Sequence, residues 1–144
     1  MRNKGFSLLE LLIVLAILAV FITIAYPGYQ TSITRARRSD GQTALLDLAN
    51  RLERYYSEQQ SYEGATLGTG SSTDILPSSY SPQKWYRLVI ASQTDTNFTI
   101  EAIPGNVQAS DDLLCQTLTF NSLGLKGILS GPKGAPTGNL ANCW

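Results

Sequence analysis

The sequence predicts an α+β fold: a long, kinked N-terminal helix packed on a small antiparallel sheet of three to four strands. Three observations predict it. An apolar run fills Phe6–Ala25, an amphipathic helical pattern continues from there to Gln60, and short alternating runs follow a Gly/Pro-rich connector.

Residues 1–5 form a short basic leader, with Arg2 and Lys4 ahead of Gly5. Between Phe6 and Ala25 only Ser7, Glu10 and Thr23 are polar. As a helix rising 1.5 Å per residue, the run spans roughly 30 Å, the thickness of a bilayer core. Three readings compete. A secretory signal peptide has a shorter apolar core and a small-residue exit, whereas this run ends in Ala25-Tyr26-Pro27-Gly28-Tyr29. A plain membrane anchor explains the length but not Glu10, because a carboxylate at the centre of a bilayer costs about 2.5–3.5 kcal/mol on insertion scales. Cleavage between Gly5 and Phe6 explains both, since it frees an α-amino group as a partner for that carboxylate.

Helical spacing continues beyond the apolar run. Ala44, Leu45, Leu48, Ala49, Leu52 and Tyr55/Tyr56 recur three and four apart and mark one apolar face. Asp47 and Arg51 stand four apart, an orientation worth a few tenths of a kcal/mol. Residues 26–60 are therefore the amphipathic half of the helix, following the membrane-spanning half at 6–25. Pro27 lacks an amide hydrogen and Gly28 follows it, so the kink is expected there. Ser39 and Gln42 flank Gly41 with capping-box spacing, which leaves open one kinked helix or two. The cluster Arg35-Ala36-Arg37-Arg38 reads either as a contact for anionic lipid or acidic neighbours, or as a solvated helix face.

Residues 61–84 are expected to form a connecting loop, broken by Gly64, Gly68, Gly70, Pro77 and Pro82. Strands are expected at Trp85–Ile90, Asn97–Ile103 and Gln116–Phe120, with a hairpin turn over Gln93-Thr94-Asp95-Thr96. In the second strand Phe98, Ile100 and Ala102 share one side; in the third, Leu118 and Phe120 do. The sheet region 85–123 is expected to stop near Asn121-Ser122-Leu123-Gly124, leaving 124–144 as a Gly/Pro-rich loop.

Charge is balanced, with 11 basic and 11 acidic residues and no histidine. Losing Arg2 and Lys4 with the leader leaves 9 basic residues against 11 acidic, a slightly acidic chain with no general attraction to nucleic acid. The missing histidine removes the commonest acid–base group and metal ligand. Motifs of the GxSxG, HExxH or phosphate-loop type are also absent. The chain is read as a non-enzyme with no metal and no cofactor.

Lys4-Gly5-Phe6-Ser7-Leu8-Leu9-Glu10 resembles the class III signal of type IV pilins and pilin-like proteins. The resemblance implies that a prepilin peptidase cuts between Gly5 and Phe6 and that Phe6 is N-methylated. It further implies assembly through Phe6 and Glu10, and a spine, loop, sheet and C-terminal segment in that order. The implied partners are other pilin subunits, the prepilin peptidase, the pilus assembly machinery and, before assembly, the inner membrane. The C-terminal domain would be periplasmic at first and on a cell-surface pilus later. An exported domain favours a Cys115–Cys143 disulfide closing the C-terminal segment, with two free buried thiols as the alternative. Arg38–Leu45, Arg54-Tyr55-Tyr56 and the Cys115…Cys143-Trp144 ending resemble PilE-type minor pilins, a group that includes ComP-type DNA-uptake receptors.

Two further readings accompany that one. Lys84, Arg87, Lys126 and Lys133, interleaved with Trp85, Tyr86 and Trp144, are candidate DNA contacts, since cations hold phosphates and rings stack on bases. Against this stand Asp111 and Asp112 and the tendency of strand aromatics to be core. A type II secretion pseudopilin shares the same N-terminus and spine.

Overall fold

The computed structural model describes residues 6–144. The leader, including the Gly5 side of the expected cleavage point, lies outside the described residues. The chain divides into a first unit ending at Ile33 and a second, Thr34–Trp144.

Helix α1 is assigned over Leu8–Gln59, with Pro27 inside it. From Leu8 to Ser32 its residues are exposed on all sides, and the helix is long and apolar enough to cross a membrane. Pro27 offers no hydrogen to the carbonyl of Thr23. Thr31 and Ser32 turn their hydroxyls back onto the Pro27 and Gly28 carbonyls, each at 3.0 Å.

The second unit begins on the amphipathic half of α1. Ala44, Leu45, Leu48, Ala49 and Leu52 are buried, as their spacing predicts. Ser39 does not cap a second helix: its hydroxyl donates to the Arg35 carbonyl, and α1 runs on through Gly41. Gly41 instead lies against the Tyr86 ring, and a Cβ there would stand 2.8 Å from a ring carbon. The helix ends at Gln60, whose left-handed φ of 59° turns the chain away.

The connector is more ordered than a plain loop. Strands β1 (Thr66–Leu67) and β2 (Asp74–Leu76) pair in parallel within it. Asp74 holds this segment by accepting hydrogen bonds from the Thr66 and Thr69 hydroxyls and the Gly70 amide.

The main sheet contains β3 (Tyr86–Gln93), β4 (Phe98–Pro104), β5 (Thr117–Asn121) and β6 (Lys126–Leu129), antiparallel and in that order. Phe98, Ile100 and Ala102 face inward as predicted and join Leu45, Leu48, Leu52, Tyr86, Leu88 and Leu118 in one core. Each fully buried leucine or isoleucine there contributes about 1.5–3 kcal/mol relative to exposure.

Two expectations are corrected. The sheet does not stop at 121–124, because Gly124 turns the chain at φ 76° and β6 adds a fourth strand within the segment expected to be a loop. The region 85–123 is not all sheet either: helix α2 (Asn106–Asp111) crosses between β4 and β5. Cys115 and Cys143 form the expected disulfide, with their Cα atoms 5.5 Å apart.

Candidate functional site

The N-terminal site is a surface with no cover of its own. Phe6 is 79% exposed, and Leu8, Leu9, Leu11, Leu12, Ile13 and the apolar residues that follow are exposed as well. Glu10 lies in the first turn of α1, the end where a carboxylate is favoured by the helix dipole. So large a contiguous apolar surface is not kept in water and marks a membrane or protein contact. Phe6 and Glu10 are thus both on that surface, and Pro27 and Gly28 fall further along the same helix.

The arginine cluster is divided by the fold. Arg38 is buried and grips Asp112 at two points, Nε to Oδ2 at 2.8 Å and Nη2 to Oδ1 at 2.7 Å. Its remaining nitrogen, Nη1, donates to the Asn142 carbonyl at 2.8 Å. Arg37 donates to Asp111 at 2.8 Å and stacks over the Trp85 ring at 4.0 Å. Neither arginine is the solvated face, nor the lipid contact, that the sequence offers as alternatives; of the three, Arg35 alone is exposed. These contacts tie α1 to the α2 segment and to the C-terminal tail. Gln42 adds a bond from its amide to the Cys143 carbonyl at 2.7 Å.

Around this pair the interior is polar but ordered. The Gln108 amide donates to the Tyr86 hydroxyl, to Asp112 and to the Thr34 carbonyl. Burial pushes the Tyr86 phenol well above its ordinary value. At the far end of α1, burial and then the hydrogen bond to Glu53 push Tyr62 up to about 12.

The candidate DNA contacts are all exposed, but they do not form one patch. Lys84 lies two residues before β3 and Arg87 at its start, by one edge of the sheet. Lys126 lies on β6, the opposite edge. Arg87 pairs with Ile103 on the outer face, whereas Lys126 pairs with Phe120 in the row of buried Ile100. Lys126 stands 5.1 Å from the Trp144 ring, whose indole N–H donates to the Gly127 carbonyl. Lys133 occupies the turn between Gly131 and Gly134, beyond the other end of β6. No group of acidic and cysteine side chains suited to a metal ion occurs among the described residues.

An N-terminal apolar helix, a four-stranded antiparallel sheet laid on its amphipathic half and a disulfide-bounded C-terminal segment define a pilin-type chain. Residues 27–119 match the family of the type IV minor pilin ComP, DNA uptake sequence receptor, and residues 1–26 match the prokaryotic N-terminal methylation motif. The chain belongs to the type IV minor pilin family. It is 25% identical over 128 residues to the fimbrial protein EcpC of Eikenella corrodens, covering 89% of this chain and 80% of that one. It is 36% identical over 61 residues to the type IV major pilin protein PilA of Myxococcus xanthus, covering 42% of this chain and 28% of PilA. Among solved structures, the non-core minor pilin PilV of Neisseria meningitidis shares the fold, with a TM-score of 0.52 and 19% identity over 75% of this chain and 98% of that one.

Proposed function

We propose that this chain is made as a precursor, cut between Gly5 and Phe6, N-methylated on Phe6 and added to a type IV pilus through residues 6–25. The observation that carries the reading is the exposed apolar surface of α1, interrupted by Glu10. Before assembly the bilayer covers that surface, with the C-terminal unit on the periplasmic side. Afterwards the helices of other pilin subunits cover it, and the C-terminal unit is displayed at the cell surface. In that low-dielectric bundle an unpaired carboxylate is strongly disfavoured. Glu10 therefore pairs with the α-amino group of Phe6, its own or a neighbour's, and sets the register of addition. Pro27 and Gly28 supply the place where the spine loosens and bends. The prepilin peptidase and the assembly machinery are the partners at these steps.

The test separates processing from assembly. Glu10→Ala is expected to be cleaved normally but to enter sheared surface fibres poorly. Incorporation at the level of the unaltered chain would overturn the role of Glu10.

The match of residues 27–119 to a DNA uptake sequence receptor favours a second reading, in which the exposed cations hold DNA. Lys126 beside Trp144 supplies a charge and a ring together, while Lys84 and Arg87 belong to a separate edge. Binding of duplex DNA by the chain, measured at two salt concentrations, tests it. Affinity that falls as salt rises supports phosphate contact, and an absent or salt-independent signal removes it.

A further inference from the structure

The turn between β3 and β4 is Thr94-Asp95-Thr96-Asn97, and β4 opens on Phe98-Thr99. Asn97-Phe98-Thr99 is an Asn-x-Thr triplet with a centre other than proline, the acceptor at which a sugar is joined to an asparagine amide in exported chains. Asn3, Asn50, Asn106, Asn121, Asn139 and Asn142 all lack a serine or threonine two residues on. The one asparagine with the acceptor pattern also sits at an exposed hairpin tip. A bulky polar group is tolerated at such a position without loss of packing.

We propose that Asn97 is an N-glycosylation site, a sugar chain carried on its side-chain amide at the tip of the β3–β4 hairpin. The proposal rests on the reading that the domain is exported. In the transfer step, Asn97 Nδ2 forms a bond to the anomeric carbon of a sugar held on a lipid-linked diphosphate donor. The bond from that carbon to the diphosphate oxygen breaks, the lipid diphosphate leaves, and one amide proton passes to a base on the transferase.

The local geometry suits the product. Asn97 Nδ2 gives one hydrogen to the Thr96 hydroxyl at 3.0 Å, which leaves its second hydrogen free for replacement. The turn itself is closed by other atoms: the Thr94 amide donates to the Asn97 carbonyl, and the Asn97 amide donates to the Thr94 hydroxyl. A sugar on Nδ2 disturbs neither bond. The same geometry sets the order of events. A transferase must hold the triplet extended and reach the Thr99 hydroxyl, but in the folded unit Phe98 is 2% exposed and packs edge-on to Tyr62 at 5.0 Å. Thr99 is fixed in β4 opposite Asn121, and the Asp95 carboxylate accepts from Ser61. The sugar is therefore added while β4 is still open, as the chain emerges from the membrane.

The test is peptide mass spectrometry of the full chain recovered from surface fibres of the organism that encodes it. The peptide holding Asn97 is expected to carry a sugar mass increment. The increment is expected to vanish in Asn97→Gln and Thr99→Ala and to remain in Thr99→Ser, which keeps the hydroxyl. A bare Asn97 peptide on the chain recovered from those fibres would overturn the proposal, as would an increment that survives Asn97→Gln. The same spectra read the N-terminus, so a chain still beginning at Met1 counts against cleavage at Gly5, while its Asn97 peptide still decides the proposal.

Discussion

Arg38 and Asp112, 74 positions apart, meet in a two-point contact whose side chains are 8% and 1% exposed. The pair joins α1 to the loop that leads into Cys115, and the third Arg38 bond reaches the carbonyl of Asn142, next to Cys143. One guanidinium therefore fixes both ends of the disulfide-bounded segment to the spine.

Truncating that guanidinium leaves Asp112 charged, buried and short of its partner. Arg38→Ala is expected to cost about 3–5 kcal/mol. Arg37→Ala is expected to cost about 1–2 kcal/mol, because its ion pair with the 40% exposed Asp111 is screened by solvent and its stacking on Trp85 adds a similar small amount. Denaturant unfolding of the two variants in the same detergent checks the ordering. Equal losses would contradict it.

Gly41 is set by close approach, since a methyl group there would meet the Tyr86 ring at 2.8–3.0 Å. Alanine is the better helix former by about 0.8–1.0 kcal/mol, but overpacking a core costs about 1–3 kcal/mol. Gly41→Ala is expected to lower the melting temperature. A rise would show that the ring yields without strain.

Asp74 predicts an acid sensitivity confined to the connector. The Thr66 hydroxyl first, with Thr69 and the Gly70 amide, holds its carboxyl below the ordinary 3.8. A carboxyl depressed by folding contributes stability that is present above its unfolded value and lost as pH falls through its folded one. Hydrogen exchange of residues 66–76 is therefore expected to accelerate below about pH 4, relative to its intrinsic rate. In Asp74→Asn that pH dependence should disappear.

The disulfide closes a segment of 28 positions whose glycines and prolines give it little packing of its own. Reduction, or Cys115→Ser with Cys143→Ser, is expected to cost about 2–5 kcal/mol. Urea titration with and without reductant measures this. Unchanged midpoints would mean that Arg38 and Gln42 hold the tail unaided.

Local patterns were legible in the sequence, and long-range pairings were not. The spacing of Leu45, Leu48 and Leu52 gives the buried face of α1, and the alternation of Phe98, Ile100 and Ala102 gives the inner face of β4. Helix and strand periodicity carry that information directly. No pattern links Arg38 to Asp112, so the arginine cluster reads as surface until the fold brings α2 beside it. The strand β6 is short, contains Gly127 and follows a glycine turn, which hides it inside a loop-like composition. Lys84, Arg87, Lys126 and Lys133 look like one basic set in the sequence, yet the strand order sends two of them to one edge and Lys126 to the other. The absence of a second helix start at Ser39 has a packing cause: Gly41 and Ala44 continue the helix against the sheet.

The most direct measurement is the N-terminal mass of this chain in fibres sheared from the cell surface. The account predicts a chain that starts at Phe6 with a methyl group on its α-nitrogen. Recovery of chains in those fibres that still begin at Met1 would contradict it.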